Sequence, residues 1–264
     1  MGFVVACAQL VSTAGLAQRN VDRMGELAAR AARLGARILV FPELCFCGYL
    51  SPSDAGMQAV IADGPELEAV RSIARSVGVA LCFGFAERAP DGLYNSMALV
   101  ERDGSLRAVY RKVHLWVTER EWAREGDSLV SFGVSGARCG MWICYDSRFP
   151  ETAQTLASRG VTLALVGSAW FGPDAEWELA LRARALDNGI FAAGAVSLGS
   201  FGSAPFHGTS LIVDPHGTVL ARAPAGEEAV IAAEYDERVI DSFRARLPLR
   251  EDRRSEASRV RELP

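Results

Sequence analysis

The sequence has no apolar run of membrane-spanning length, no excess of positive charge, and no linker-like or low-complexity stretch. Each absence removes a class of protein. A bilayer-crossing helix needs about 20 predominantly apolar residues, so no membrane partner is expected. With 28 basic against 32 acidic residues the net charge is −4. No basic stripe with interleaved aromatics occurs, which argues against a nucleic-acid partner. Arginines cluster over residues 244–261, but Glu251, Asp252, Glu256 and Glu262 are mixed among them, and the stretch reads as a solvated tail. The six cysteines lack the loop spacings of a disulfide framework and mostly sit inside apolar runs. Reduced thiols in a cytoplasmic protein are the expectation. The apolar N-terminus, residues 2–8, lacks a basic flank and reads as a first strand, not a signal peptide. Ala6 stands where a myristoylation signal requires Ser or Thr.

What is present is an alternation of short apolar runs with amphipathic helical patterns. Val21, Met24, Leu27, Ala28, Ala31 and Leu34 recur at helical spacing and Gly35 follows as a stop, which predicts a helix over 18–34. Further helices are expected at 65–77, 150–158 and 175–188. Strands are expected at 3–10, 37–41, 79–85, 94–101, 106–110, 139–143, 161–166, 190–196, 209–213 and 230–233. Strand–helix–strand spacing early and late, with hairpins between, predicts a mixed α/β sheet protein. One domain is expected over residues 1–248, followed by a charged arm, 249–264, that docks on a partner or frays.

Three chemically capable side chains interrupt apolar runs at strand ends. "RILVFPE" places Glu43 after one strand, "LRAVYRKVHL" places Lys112 after a second, and "RCGMWIC" places Cys144 after a third. Ligands collect beyond the carboxyl ends of strands in α/β sheets, where loops are free of core packing. A thiol attacks a carbonyl as thiolate, and free cysteine is mostly protonated at neutral pH. Glu43 can take that proton and later deliver it to a departing amine. Lys112 can hold Glu43 ionised and stabilise a developing oxyanion. Taken singly, a strand cysteine is as readily a buried core thiol, Pro-Glu a turn and Lys112 a solvated lysine. Together they make a candidate hydrolytic site.

The segments "FPELCFCGY", "YRKVHLW" and "GMWICYDSRFPE" resemble the signature regions of the nitrilase (carbon–nitrogen hydrolase) superfamily, in its chain order of glutamate, lysine and cysteine. "LYNSMALV", "WELALRARALDN", "HGTSLIVDPHG" and "AAEYDERVIDSFRARLP" extend the resemblance over nearly the whole chain. It implies a four-layer α-β-β-α sandwich with mixed sheets, subunits paired as a homodimer or higher homo-oligomer, and hydrolysis through a thioester with no metal or organic cofactor. By position it makes Glu43 the base, Lys112 the oxyanion cation, Cys144 the nucleophile and the Tyr145 backbone N–H a second oxyanion donor. A further glutamate after the lysine is implied, Glu119 by preference over Glu121. Cys144-Tyr145-Asp146 resembles the amidase branches, omega-amidases and deaminated-glutathione amidases among them, in place of the Cys-Trp-Glu of nitrile-cleaving members. The implied activity is release of ammonia and a carboxylic acid from a small linear carboxamide, with N-carbamoyl-amino acid hydrolysis or nitrile hydrolysis as alternatives.

Tyr49, Trp116, Tyr145, Trp170 and Phe171 lie in strand-end loops and are candidate pocket walls. Arg148 could meet a substrate carboxylate, but pairing with a nearby acid such as Glu151, to shape the turn, is the preferred expectation. Arg182 and Arg184, two apart on one helix, cannot form a clamp. Ser147 stands where the related branches usually carry leucine, and Glu176 where histidine often precedes Trp-Glu. Three rivals are weighed. A Cys–His hydrolase would pair Cys144 with His207 or His216, but the Gly-x-Cys-x-Gly elbow is missing. A zinc module on Cys45-x-Cys47 lacks a second ligand pair. A catalytically idle scaffold should have lost part of the constellation.

Overall fold

The computed structural model describes residues 2–254. Strands β1 (Phe3–Gln9), β2 (Ala36–Val40), β3 (Ala80–Ala89), β4 (Gly92–Val100), β5 (Leu106–Arg111) and β14 (Ala229–Tyr235) form one sheet, in the order β14-β1-β2-β3-β4-β5. Its centre is parallel, β1 with β2 and β2 with β3, and its edges are antiparallel. Parallel pairing needs long crossovers. Helix α1 (Ala17–Arg33) makes the first, while α2 (Pro52–Gln58) and α3 (Glu68–Val77) lie in the second.

A second six-stranded sheet repeats this plan in the order β13-β12-β9-β8-β7-β6. It contains β6 (Val130–Val134), β7 (Ala137–Ile143), β8 (Leu163–Ser168), β9 (Phe191–Val196), β12 (Leu211–Val213) and β13 (Val219–Arg222). The parallel centre is β7-β8-β9, crossed by α4 (Pro150–Ser158) and α5 (Asp174–Leu186). A small hairpin of β10 (Leu198–Phe201) and β11 (Ala204–His207) stands apart, and α6 (Glu237–Arg246) follows β14.

The strands alternate in two directions, and this sets the layering. In β1, Val5 and Cys7 face the second sheet, while Ala6 and Ala8 face Met24, Leu27 and Ala28 of α1. Cys82 and Met141 meet across the two sheets, with Cys82 Sγ 3.4 Å from Met141 Sδ. Helices α1 and α3 cover the outer face of the first sheet, and α4 and α5 cover that of the second. The result is α-β-β-α, with apolar surface buried on both faces of both sheets.

Most expected elements occur within two residues of their predicted bounds. The run at 65–77 divides into a 3₁₀ turn, Pro65–Leu67, and α3. Several elements were not anticipated: α2, β6, the β10–β11 hairpin, β13 and α6. They are short, or bury few side chains; α6 buries only Ile240 and Phe243, too sparse a stripe to stand out in a charged segment. The residues from 255 onward in the expected arm lie outside the described residues. No helix of the described residues is long and apolar enough to cross a membrane.

Candidate active site

Glu43 follows β2 on a segment pressed against β3. A Cβ on Gly84 would lie 2.3 Å from the Leu44 nitrogen and 2.8 Å from Glu43 Cα, so only glycine allows this approach. Leu44 takes a left-handed conformation, φ 52°, and turns the chain away behind the glutamate. The Glu43 side chain is buried, and its Oε2 accepts the Ala169 backbone N–H at 2.8 Å.

Lys112 leaves the end of β5 and is wholly buried. A lone buried ammonium would be expelled or deprotonated, and here it is doubly paired. Its Nζ lies 2.6 Å from Glu43 Oε1 and 2.8 Å from Glu119 Oε1. Asn95 Nδ2 donates to the same two oxygens, at 2.8 and 3.1 Å. Glu119 is held further by the Tyr49 hydroxyl at 3.0 Å and the Trp116 N–H at 2.8 Å. Of the two acids weighed from sequence, Glu119 reaches Lys112, while Glu121 is exposed.

The two carboxylates differ in proton affinity. Burial pushes Glu43 up to about 7, with Lys112 opposing and Glu119 reinforcing the shift. Burial also acts on Glu119, but the Lys112 charge, its hydrogen bond and the Trp116 N–H outweigh it and hold the carboxyl below its ordinary value. Burial would lower Lys112, yet the flanking carboxylates raise it, so the ammonium is firmly charged.

Cys144 caps β7 and opens a 3₁₀ turn, Cys144–Arg148. Its φ of 45° is left-handed, a strained conformation costing about 1–3 kcal/mol in a non-glycine residue and typical of sites where a side chain must be aimed. The thiol lies 3.8 Å from the Ala169 carbonyl oxygen. One peptide segment at Ala169 is thus touched by both Cys144 and Glu43. Burial lifts the thiol well above its ordinary value, the Glu43 charge adds to this and Lys112 opposes it, so the resting group is a thiol.

Behind Cys144, Asp146 is fully buried and joins two elements. Its Oδ2 accepts from the Ile143 N–H at 3.0 Å and the Tyr110 hydroxyl at 2.7 Å. Its Oδ1 accepts from the His114 N–H at 2.9 Å and lies 2.8 Å from His114 Nδ1. The turn carrying Cys144 is thereby fastened to the loop carrying Lys112. Ser147 also finds its reason: the indole N–H of fully buried Trp142 donates to Ser147 Oγ at 2.9 Å. Leucine there would leave that donor unpaired.

A small, half-open pocket leads to the thiol and is lined by Trp116, Cys144, Tyr145, Arg148, Trp170 and Phe171. Four of the five aromatic wall candidates stand in it. Tyr49 stands behind the wall, edge-on to Phe171 at 5.2 Å and bonded to Glu119. Arg148 departs from expectation. It pairs with Glu176 on α5 instead of Glu151, and its guanidinium lies 4.8 Å from the Trp170 ring centroid. The 3₁₀ turn directs residue 148 toward α5, whereas Glu151 already belongs to the first turn of α4.

Sequence reasoning missed Asn95 as a ligand of both carboxylates, and Asp146 as a clamp. The signal for Asn95 was a polar pair, Asn95-Ser96, inside an otherwise largely apolar strand; nothing local shows its partners. His207 and His216 are exposed, and the charged groups acting on the Cys144 thiol are Glu43, Lys112 and Glu119. Cys45 and Cys47 are buried, with their thiols 3.6 and 3.7 Å from the carbonyls of Gly84 and Leu44.

Known proteins share this arrangement of chain and fold. The omega-amidase NIT2-A of Xenopus laevis is 35% identical over 257 residues, spanning 92% of both chains. The deaminated glutathione amidase of Mus musculus is 32% identical, spanning 95% of this chain and 83% of the mouse protein. Among solved structures, the amidase from Nesterenkonia sp. AN1, carrying Glu-to-Gln and Cys-to-Ala replacements and complexed with acrylamide, matches with a TM-score of 0.86 at 28% identity, covering 97% of this chain and 95% of that one. A Glu-to-Gln form of the same amidase shows covalent addition of the acetamide moiety of fluoroacetamide at the active-site cysteine. The sequence profile of the family described as carbon-nitrogen hydrolase matches residues 4–245, so the chain belongs to the carbon–nitrogen hydrolases.

Proposed function

We propose that this protein is a cysteine amidohydrolase that cleaves the C–N bond of a small linear carboxamide through a thioester, with Cys144 as nucleophile, Glu43 as base and acid, and Lys112 and the Tyr145 N–H as oxyanion donors. The observation that carries the reading is the buried Glu43–Lys112–Glu119 cluster beside a thiol at the floor of a small pocket. A carboxyl raised to about 7 is suited to exchanging protons near neutral pH. As Cys144 Sγ attacks the carbonyl carbon, its proton passes to Glu43 and the oxygen becomes anionic beside Lys112. Collapse breaks the C–N bond; Glu43 returns the proton to the nitrogen and ammonia leaves. A water molecule then gives a proton to Glu43 and attacks the thioester. The C–S bond breaks, the thiol recovers its proton and the carboxylic acid departs. Removing one oxyanion donor costs roughly 100–1000-fold in rate, which is the effect assigned to Lys112. Glu119 acts by fixing Lys112, and the aromatic walls shape the acyl site.

Support for an amide substrate comes from the amidases that resemble the chain, NIT2-A among them, and from the Nesterenkonia enzyme's complex with acrylamide. The test is ammonia release over omega-amides, simple aliphatic amides, carbamoyl-amino acids and nitriles, with Cys144→Ala as control. Release from amides that the variant abolishes is expected. Release from nitriles alone, or unchanged release by the variant, overturns the reading.

The proposal extends to a cytoplasmic homodimer. Six free, buried cysteines suit a reducing compartment. Light scattering on the intact chain and on one truncated after Pro248 tests the pairing and whether the arm contributes to it.

A further inference from the structure

Among the described residues, Arg148 is the only charged side chain lining the pocket. By itself it would be a natural receptor for a substrate carboxylate, since a guanidinium binds that group with two parallel hydrogen bonds. It is not left by itself. Its Nη2 is ion-paired with Glu176 Oε2, and its guanidinium carbon lies over the Trp170 ring, 4.8 Å from the centroid. Glu176 stands in the first turn of α5, where the helix N-terminus favours an acid. Its carboxylate reaches the rim of the pocket: a Cβ on Gly172, next to the wall residue Phe171, would lie 3.5 Å from Glu176 Oε2. The remaining walls are Trp116, Tyr145, Trp170 and Phe171, which offer mainly ring surface. A carboxylate arriving at Arg148 must displace an internal carboxylate and then lie beside its charge. An uncharged acyl chain meets neither obstacle.

We propose that the Arg148–Glu176 pair is a charge filter at the pocket mouth, selecting small uncharged carboxamides over amides that carry a free carboxylate at the far end of the chain. The inference rests on the amidohydrolase reading and names its substrate class. Both partners are close to half exposed, 42% and 48%. An exposed pair is weak, so the filter biases the choice and does not forbid the charged substrate.

The test compares two substrates of equal chain length, pentanamide and glutaramate, on wild type, Glu176→Gln and the double variant Glu176→Gln/Arg148→Gln. Wild type is expected to have the higher kcat/KM for pentanamide. Glu176→Gln should shift the glutaramate-to-pentanamide ratio upward by about five- to tenfold, the scale of one exposed charge–charge contact plus the like-charge repulsion it removes. The double variant should lose that shift, and added salt should shrink it in the single variant. A wild-type preference for glutaramate, or a ratio that Glu176→Gln leaves unmoved while both substrates are cleaved, overturns the filter and spares the amidohydrolase. Failure of wild type to cleave either substrate, together with ammonia release from no other amide, overturns both.

Discussion

The Tyr110 hydroxyl donates to Asp146 Oδ2 at 2.7 Å, and this bond spans the two halves of the site. Tyr110 lies two residues before Lys112 on β5, and Asp146 two residues after Cys144 beyond β7. Because Asp146 also accepts from Ile143 and His114, it fixes where the thiol stands relative to the ammonium. Asp146→Asn keeps the shape but replaces an acceptor with a donor. We expect a loss of about 1–3 kcal/mol of stability, with kcat falling further than KM rises. Thermal unfolding and steady-state kinetics check this; a lower Tm with unchanged kcat would limit Asp146 to a structural role.

Lys112 should be more costly to lose than any surface cation. Lys112→Met leaves Glu43 and Glu119 facing each other in a buried site, where breaking a buried ion pair costs about 3–5 kcal/mol. Adding Glu119→Gln should restore part of the stability and none of the activity. Urea unfolding of the single and double variants measures the first point and ammonia release the second.

In the proposed mechanism the Glu43 carboxyl, raised to about 7, has to be ionised to accept the thiol proton. Its kcat/KM should therefore fall as pH drops through about 7. Stability runs the other way. A carboxyl raised in the folded state binds its proton more tightly there than when unfolded, so its contribution is greatest below the ordinary value of 4.5 and is lost as pH rises toward 7. The stability difference between wild type and Glu43→Gln, followed by denaturant titration from pH 4.5 to 8, should decline to about pH 7 and then level off.

Gly84→Ala tests the close approach that places Glu43. The added Cβ meets backbone at 2.3 Å, which no side-chain rotation can relieve. Overpacking of this kind costs about 1–3 kcal/mol, and the shifted Glu43 should lower kcat sharply. A variant that unfolds earlier but retains full kcat would show that the segment yields without moving the carboxylate.

Much of this was legible along the chain. Short continuous apolar runs marked the strands because both faces of each sheet are buried, and helical spacing marked α1, since one stripe of it packs on the first sheet. Glu43, Lys112 and Cys144 were visible because each is a polar or reactive group ending an apolar run. Ser147 was not, since its reason is an indole folded over it, and α6 was not, since two buried side chains make no period.

By itself the sequence determined the mixed α/β character, the positions of three strand-end groups, and the capacity of those groups for proton transfer and nucleophilic attack. Only the tertiary structure decided which partners they have. Asn95 reaches both carboxylates because β4 lies beside β5. Arg148 takes Glu176 over Glu151 because α5 packs against the turn after Cys144, bringing residues 28 apart into contact. Burial pattern is a local property that spacing records, whereas a side chain's partner depends on which element folds across from it.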